Sequence, residues 1–157
     1  MHRIITQFVV LFSACVVLLL SACNSQDAHA SAQAAARCAN CGMRVPPDSA
    51  WRAGLTNRGG EALSFDAPKC MFRVLHGERG QGAREPWIIE YDSREQRPAR
   101  SVVYVIGSDV EGPMGRDVIP IANRERAERF LRDHHGTRIL TFDEVTTQVV
   151  DSLFRRE

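Results

Sequence analysis

The chain has 157 residues, and its twenty basic and nineteen acidic side chains give it a formal net charge of +1. A nearly neutral chain has no strong electrostatic field to steer it onto nucleic acid, so nucleic-acid binding is excluded as a main activity. The length allows one ordinary domain but not two large ones.

The N-terminus has the pattern of a bacterial lipoprotein leader. Arg3 supplies a short basic region, and the apolar run at 8–20 is shorter than the roughly twenty residues of a spanning helix. Leu-Ser-Ala-Cys follows and matches a lipobox, whose cysteine becomes the first, lipid-modified residue. We therefore predict a signal peptide at 1–22 and lipidation of Cys23. An ordinary signal peptide or an uncleaved anchor is the alternative.

Processing at this point implies a periplasmic chain that is anchored to the lipid bilayer through Cys23. Asn24, rather than an aspartate, follows the cysteine, which favours the outer membrane of a Gram-negative cell over the inner one. Removal of Arg3 with the leader leaves nineteen basic against nineteen acidic residues. Small residues without large apolar side chains then predict a flexible tether at 23–37, ahead of a folded domain at 38–157.

The first predicted elements are two strands and a helix. Alternating residues predict a strand at 51–55, and a glycine turn leads into a second strand at 61–65. Asp66 is positioned to cap a helix that has Pro68 in its first turn and Gly77 at its end. Further strands are predicted at 87–91 and 102–106.

The second half repeats this order. A strand at 118–121 precedes a helix that Asn123 caps, with Gly136 just past its end and an apolar stripe along one face. A short strand at 138–140 follows, and the residues at 141–144 form a capping box that is predicted to open the last helix. The fold class is therefore α+β, with two related ββαβ-type units at about 38–98 and 99–157 and a C-terminal helix.

All the soft side chains that remain after processing, apart from Cys23, lie in three short motifs. Thiolates and thioethers are the ligands that select Cu(I) over hard cations, so these motifs predict a metal site. The predicted ligands are Cys38, Cys41 and Met43 in Cys-Ala-Asn-Cys-Gly-Met, Cys70 and Met71 in the first helix, and Met114 in a Gly-Pro-Met-Gly turn.

Each motif has a plainer interpretation. In an oxidising compartment Cys38 and Cys41 could form a disulfide, and Met71 could simply fill the core. Met114 could fold back over its own loop. His76 at the end of the first helix suits a favourable helix-terminal charge, with a role as accessory ligand as the alternative.

The two groups of ligands are expected to differ in preorganisation. Cys70 lies near a helix N-terminus, where the macrodipole favours a thiolate, and Met114 lies on a rigid turn. The segment from Cys38 to Met43 emerges from the tether and must lose conformational entropy when it binds. We therefore expect Cys70 and Met114 to contribute more to metal affinity than Cys38.

Taken together, the motifs resemble those of the NosL family of accessory lipoproteins. The resemblance rests on the lipobox, Cys-x-x-Cys-Gly-Met, Phe-Asp-x-x-x-Cys-Met at 65–71, Tyr-Val-x-Gly-Ser at 104–108 and Pro-Met-Gly at 113–115. It covers the domain from Cys38 to about Phe142. Asp66 belongs to one of these motifs and is an accessory candidate, whereas Ala67 stands where the family often has a second acidic residue.

The resemblance implies a periplasmic Cu(I) chaperone rather than an enzyme. It would deliver copper for the copper–sulfide centre of nitrous-oxide reductase, and its partners would be that reductase and a membrane ABC-type maturation complex. The family fold is a pair of related ββαβ units, in agreement with the doubled pattern. No catalytic triad, paired-carboxylate or phosphate-binding pattern stands out in the sequence.

Two functions of other classes fit parts of the pattern. A thiol–disulfide oxidoreductase would use Cys38 and Cys41 without metal and leave the methionines idle. A scaffolding lipoprotein that binds no metal would tolerate replacement of Cys70 and Met114.

Overall fold

Two small antiparallel sheets form the framework of the computed structural model, which describes residues 36–155. The predicted leader at 1–22, the lipidation site Cys23 and most of the predicted tether lie outside the described residues. The last two residues of that tether are described, and they form strand β1 (Ala36–Arg37), which pairs with β2 (Arg44–Val45).

The first unit follows the predicted order of strand, strand, helix and strand. Its central strand β3 pairs with β4 on one side and with β5 on the other, and β6 extends the sheet beyond β5. The elements are β3 (Ala53–Thr56), β4 (Ala62–Phe65), α1 (Pro68–His76), β5 (Arg84–Ile89) and β6 (Gln96–Pro98).

The second unit repeats this topology, with β7 between β10 and the strand β11 that follows the helix. The predicted doubled α+β architecture is therefore confirmed. A small hairpin, β8–β9, is inserted between the first two strands. The elements are β7 (Val103–Ile106), β8 (Glu111–Gly112), β9 (Gly115–Arg116), β10 (Ile119–Ile121), α2 (Arg124–Asp133), β11 (Arg138–Leu140) and the C-terminal α3 (Thr147–Phe154).

The alternation of side chains along β7 divides the core into two parts. Tyr104 lies in the main core with Leu140, its partner across the strands, whereas Val105 packs with Ile119 under α2. Successive residues of a strand point to opposite faces, so the second sheet is buried on both sides. The Tyr104 hydroxyl donates a hydrogen bond of 2.6 Å to the carbonyl of Ala99.

The start of α1 differs from the prediction in its cap. Ala67 occupies the N-cap position and offers no side-chain acceptor, with Pro68 following it. The acceptor comes from the second unit instead, because Asp117 Oδ1 accepts 2.9 Å hydrogen bonds from the backbone N–H groups of Lys69 and Val118. The prediction that Asp66 caps this helix is therefore wrong, and its side chain is free for another role.

The predicted capping box is present but encloses a different turn. The Thr141 and Glu144 side chains cap a 3-10 turn at Phe142–Glu144. The last helix begins later, where Thr146 accepts a hydrogen bond from the N–H of Val149. A capping box is a local motif that stabilises whichever turn follows it, so the sequence located the motif but not the helix. No helix among residues 36–155 is long and apolar enough to cross a membrane.

Candidate metal site

The Cys-x-x-Cys-Gly-Met segment is the loop of the β1–β2 hairpin. The loop is closed by two backbone hydrogen bonds, from Cys38 N–H to the Met43 carbonyl at 2.8 Å and from Gly42 N–H to the Cys38 carbonyl at 2.9 Å. Gly42 has φ +78°, a left-handed conformation that glycine adopts without strain. The glycine of the motif is therefore explained by the backbone of this turn.

Contacts with the first unit hold the hairpin in place. Ala39 N–H donates 2.9 Å to the carbonyl of Ser64 on β4, and Arg79 donates 2.7 Å to the carbonyl of Ala39. Cys38 and Val45 are each only 3% exposed and belong to the main core. The expectation that this motif emerges unstructured from the tether is therefore wrong, because its first cysteine is a core residue.

Asp66 and Cys70 approach the hairpin from the junction of β4 and α1. Asp66 directly follows β4, and Cys70 lies in the first turn of the helix. Together with Cys38 and Cys41 they bring three sulfur atoms and one carboxylate oxygen within 4.8 Å of one another. We call these four residues the thiol cluster.

The thiol cluster is buried on one side and open on the other. Cys70 and Asp66 are 0% and 2% exposed, whereas Cys41 is exposed. Cys41 Sγ donates a hydrogen bond of 3.4 Å to Asp66 Oδ1, and Asn40 Nδ2 donates one of the same length to Cys70 Sγ. The second oxygen of Asp66, Oδ2, is buried without a hydrogen-bond partner.

Interaction between the Cys38 and Cys70 thiols, whose sulfur atoms lie within 4.8 Å of each other, shifts the pKa values of both. The interaction with the Cys70 thiol lowers the pKa of Cys38 to about 6, against the opposing effect of burial. The same interaction, followed by burial, raises the pKa of Cys70 far above its usual range. The raised pKa of Cys70 runs against the expectation that the helix N-terminus favours its thiolate.

Cys41 differs from Cys38 in its chemistry. Desolvation raises the pKa of Cys41 to about 11, and the neighbouring Cys38 and Asp66 charges add to this increase. The three described cysteines are free thiols. Since a metal ion binds thiolates, loading of the cluster would release thiol protons.

The other predicted ligands lie in three different surroundings. Met71 is fully buried in the main core, as the core-filling alternative predicts, and Met43 is 42% exposed on the hairpin. Met114 is half-buried at the tip of the β8–β9 hairpin, in a cleft of about 780 Å³ that Lys69 and Phe154 also line. The role of each thioether as a ligand stays a prediction.

His76 interacts with the C-terminal segment. It lies six residues beyond Cys70 on α1, about 9 Å further along the axis at 1.5 Å per residue. Its Nε2 is 2.6 Å from the carbonyl of Val145, and its ring stacks on Phe72. The thiol cluster does not include His76.

Three polar residues at or near the cluster were missed by the sequence analysis. Asn40 had a local signal, because it lies between the two cysteines of the motif. Lys69 and Asp117 had none. Lys69 is 1% exposed, and its ammonium donates to the carbonyls of Met114 at 2.9 Å and Arg116 at 2.6 Å. These bonds tie the Met114 hairpin to the start of α1.

The fold and the thiol cluster define a small α+β protein with a sulfur-rich donor set suited to a soft or borderline metal ion. The orphaned Asp66 oxygen supports this assignment, because a buried acceptor without a partner is costly unless something binds it.

The NosL family model matches residues 29–150, and the chain belongs to the NosL family. The copper chaperone NosL from Shewanella denitrificans has a similar crystal structure. The TM-score is 0.65 at 21% sequence identity, and the match covers 71% of this chain and 90% of that one. No curated protein matches the sequence. Family membership also confirms the expectation that the protein is not an enzyme.

Proposed function

We propose that this protein is a periplasmic lipoprotein that binds Cu(I) at the thiol cluster and delivers it for maturation of the copper–sulfide centre of nitrous-oxide reductase. The observation that carries the proposal is the convergence of three free thiols from two separate motifs within 4.8 Å. The similarity in fold to a solved copper chaperone supports the choice of copper.

Buried and exposed residues at the cluster would have different roles in holding and releasing the ion. Cys38 and Cys70 are buried and would hold Cu(I) in low coordination, shielded from water. Cys41 and Met43 are exposed on the hairpin and would exchange with the incoming ligands of a partner. Met71 and Met114 remain predicted thioether ligands. Low-coordinate Cu(I) leaves a position open, which permits transfer without full release.

Anchoring completes the proposal. Lipidation of Cys23 would hold the protein at a membrane, preferentially the outer one, and within reach of an ABC-type maturation complex. The tether ahead of β1 would set that reach. The family resemblance supports the choice of partners, and the thiol cluster supports metal binding.

A thiol–disulfide oxidoreductase is the competing function, and the low pKa of Cys38 favours it. The solvent exposure of Cys38 and Cys41 argues against an oxidoreductase function. The attacking thiol of such an enzyme must reach a disulfide on another protein, but Cys38 is 3% exposed. The accessible thiol is Cys41, whose pKa of about 11 leaves it protonated at neutral pH.

The test is an anaerobic Cu(I) titration of the reduced, lipid-bearing protein in detergent against a competing chelator. We expect one tightly bound Cu(I) per chain. The matched control replaces Cys38, Cys41 and Cys70 together by serine and should lose this binding. A wild-type protein that fails to compete for Cu(I), or a triple variant that competes equally well, would refute the proposal. Failure to bind would favour the scaffolding alternative.

A further inference from the structure

Three arginines lie at the β1–β2 hairpin. Arg37 and Arg44 are register partners across its two strands, so their side chains leave the same side of the ribbon. Arg37 also donates 3.1 Å to the carbonyl of Gly42. Arg79, from the turn after α1, donates 2.7 Å to the carbonyl of Ala39. The backbone of the loop therefore holds two of the three guanidinium groups beside it.

The positive charges of these arginines are not balanced nearby. All three side chains are exposed, and none forms a salt bridge with a carboxylate of residues 36–155. The Asp66 carboxylate of the thiol cluster bonds to Cys41 instead. Like charges directly opposite each other across two strands repel, so the pair of Arg37 and Arg44 destabilises the hairpin. Carboxylates from outside the chain would remove this repulsion and match the forked guanidinium donors.

An exposed apolar side chain accompanies the charges. Of the large apolar residues in the part of the chain that the structure describes, Met43 alone is exposed, at 42%. The exposed thiol of Cys41 lies on the same loop. Methionine and arginine are both enriched in protein–protein interfaces, methionine as an adaptable apolar contact and arginine as a binder of carboxylates. We call Arg37, Met43, Arg44 and Arg79 the docking face.

We propose that the docking face binds an acidic surface of a partner protein, with partner carboxylates on the arginines and an apolar group on Met43. Charge complementarity speeds the encounter and brings a ligand of the partner to the exposed Cys41. A membrane with anionic lipids offers the same charge, but it covers the loop and blocks access to this thiol. That the partner gives or takes copper rests on the proposed function, whereas the docking face does not.

The test follows anaerobic Cu(I) transfer from the copper-loaded, lipid-bearing protein in neutral detergent to two synthetic acceptor peptides. Both peptides have the same dithiol core, and their flanking residues are either glutamates or lysines. At low salt we expect transfer to the glutamate peptide to be at least about tenfold faster, because charge steering changes association rates by this order or more. The difference should shrink towards 1 M salt, where the Debye length falls to about 3 Å.

Arg44→Glu separates docking from support of the hairpin. The new carboxylate lies opposite Arg37, and an opposite-charge pair across two strands stabilises a hairpin, so thermal stability should not fall. The preference for the glutamate peptide should drop below about threefold, since the docking face loses two units of positive charge. Cu(I) affinity should stay within about threefold of the wild type, which also reports a folded cluster.

Arg132→Glu is the matched control. Arg132 is an exposed arginine of α2, so this variant has the same net charge as Arg44→Glu but an intact docking face. It should keep the preference of the wild type for the glutamate peptide.

Equal transfer rates to the two peptides in the wild type would overturn the proposal, and so would an equal loss of preference in the two variants. Loss of Cu(I) affinity in Arg44→Glu would overturn it as well, since the arginine would then support the cluster. A preference that is kept in phosphatidylcholine vesicles but disappears when phosphatidylglycerol is added would assign the docking face to the membrane instead.

A wild-type protein that takes up no Cu(I) would refute the proposed copper function, and a metal-free measurement then decides on the docking face. Fluorescence anisotropy follows association of the reduced, metal-free protein with the glutamate peptide. Binding that Arg44→Glu weakens and Arg132→Glu keeps would uphold the docking face, and absence of binding would overturn it.

Discussion

At the scale of single residues, the candidate site brings together two buried thiols from separate motifs. Cys38 and Cys70 are 32 positions apart in the sequence, and their interaction lowers the pKa of Cys38 and raises that of Cys70. The sequence identified both residues as candidate ligands from their chemistry. It could not predict the direction of either pKa shift, because each shift depends on a contact that only the tertiary fold creates.

Asp117 gives a residue-scale prediction on stability. Complete burial raises its pKa to about 7 from the usual 3.8, despite the hydrogen bonds from Lys69 and Val118. Between these values the folded state holds a proton that the unfolded chain has released. The contribution of Asp117 to stability is therefore full below about pH 4 and is lost as the pH rises towards 7, by at most about 1.4 kcal/mol per pH unit.

Asp117→Asn keeps an acceptor oxygen for both N–H groups but does not titrate. We expect the free energy of unfolding of this variant, relative to the wild type, to rise between pH 4 and pH 7. Urea denaturation of reduced, metal-free protein measures the difference. Asp143→Asn, the same substitution at an exposed carboxylate that pairs with Arg100, is measured alongside for comparison. A constant difference between Asp117→Asn and the wild type from pH 4 to pH 7 would contradict the buried-carboxyl account.

At the scale of elements, the doubled ββαβ order was predictable and the site-bearing hairpin was not. The sequence predicted strands at 51–55 and 102–106 and a helix capped by Asn123, and the structure has these elements at 53–56, 103–106 and 124–133. Strands β1 and β2 have only two residues each, too few for a periodic pattern. Their pairing depends on contacts such as the one from Ala39 to Ser64, which the local sequence does not reveal.

Two glycines with similar backbone conformations allow a test of whether the β1–β2 hairpin or the β8–β9 hairpin binds the ion. Gly42 in the Cys38 hairpin has φ +78°, and Gly115 in the Met114 hairpin has φ +80°. A Cβ at either position would meet no atom within 4 Å, so alanine adds backbone strain of about 1–2 kcal/mol without a steric clash. We expect Gly42→Ala to weaken Cu(I) binding by up to about tenfold, and Gly115→Ala by less than about threefold.

Competition titrations of the two variants measure this difference, and thermal unfolding checks that their losses of stability are comparable. A larger loss of Cu(I) affinity in Gly115→Ala than in Gly42→Ala would assign the ion to the Met114 hairpin instead.

At the scale of the whole molecule, the candidate site forms where the β1–β2 hairpin packs on the first ββαβ unit. The second unit contributes support, since Asp117 caps the helix that carries Cys70 and the Met114 hairpin is bound by Lys69. The sequence supplied the donor residues of the cluster, including Asp66 as an accessory. The sequence analysis treated the two cysteine motifs as separate groups, because no local pattern shows that the β1–β2 hairpin packs against α1.

The central claim is that Cys38 and Cys70 form one Cu(I) site although their motifs are separate in sequence. Its most direct test is an anaerobic Cu(I) competition titration of Cys38→Ala beside Cys70→Ala and Met114→Ala. We predict that each cysteine variant loses a factor of ten or more in affinity, about 1.4 kcal/mol per factor, and that Met114→Ala loses less. Wild-type affinity in Cys38→Ala together with lost binding in Met114→Ala would contradict the shared thiol site.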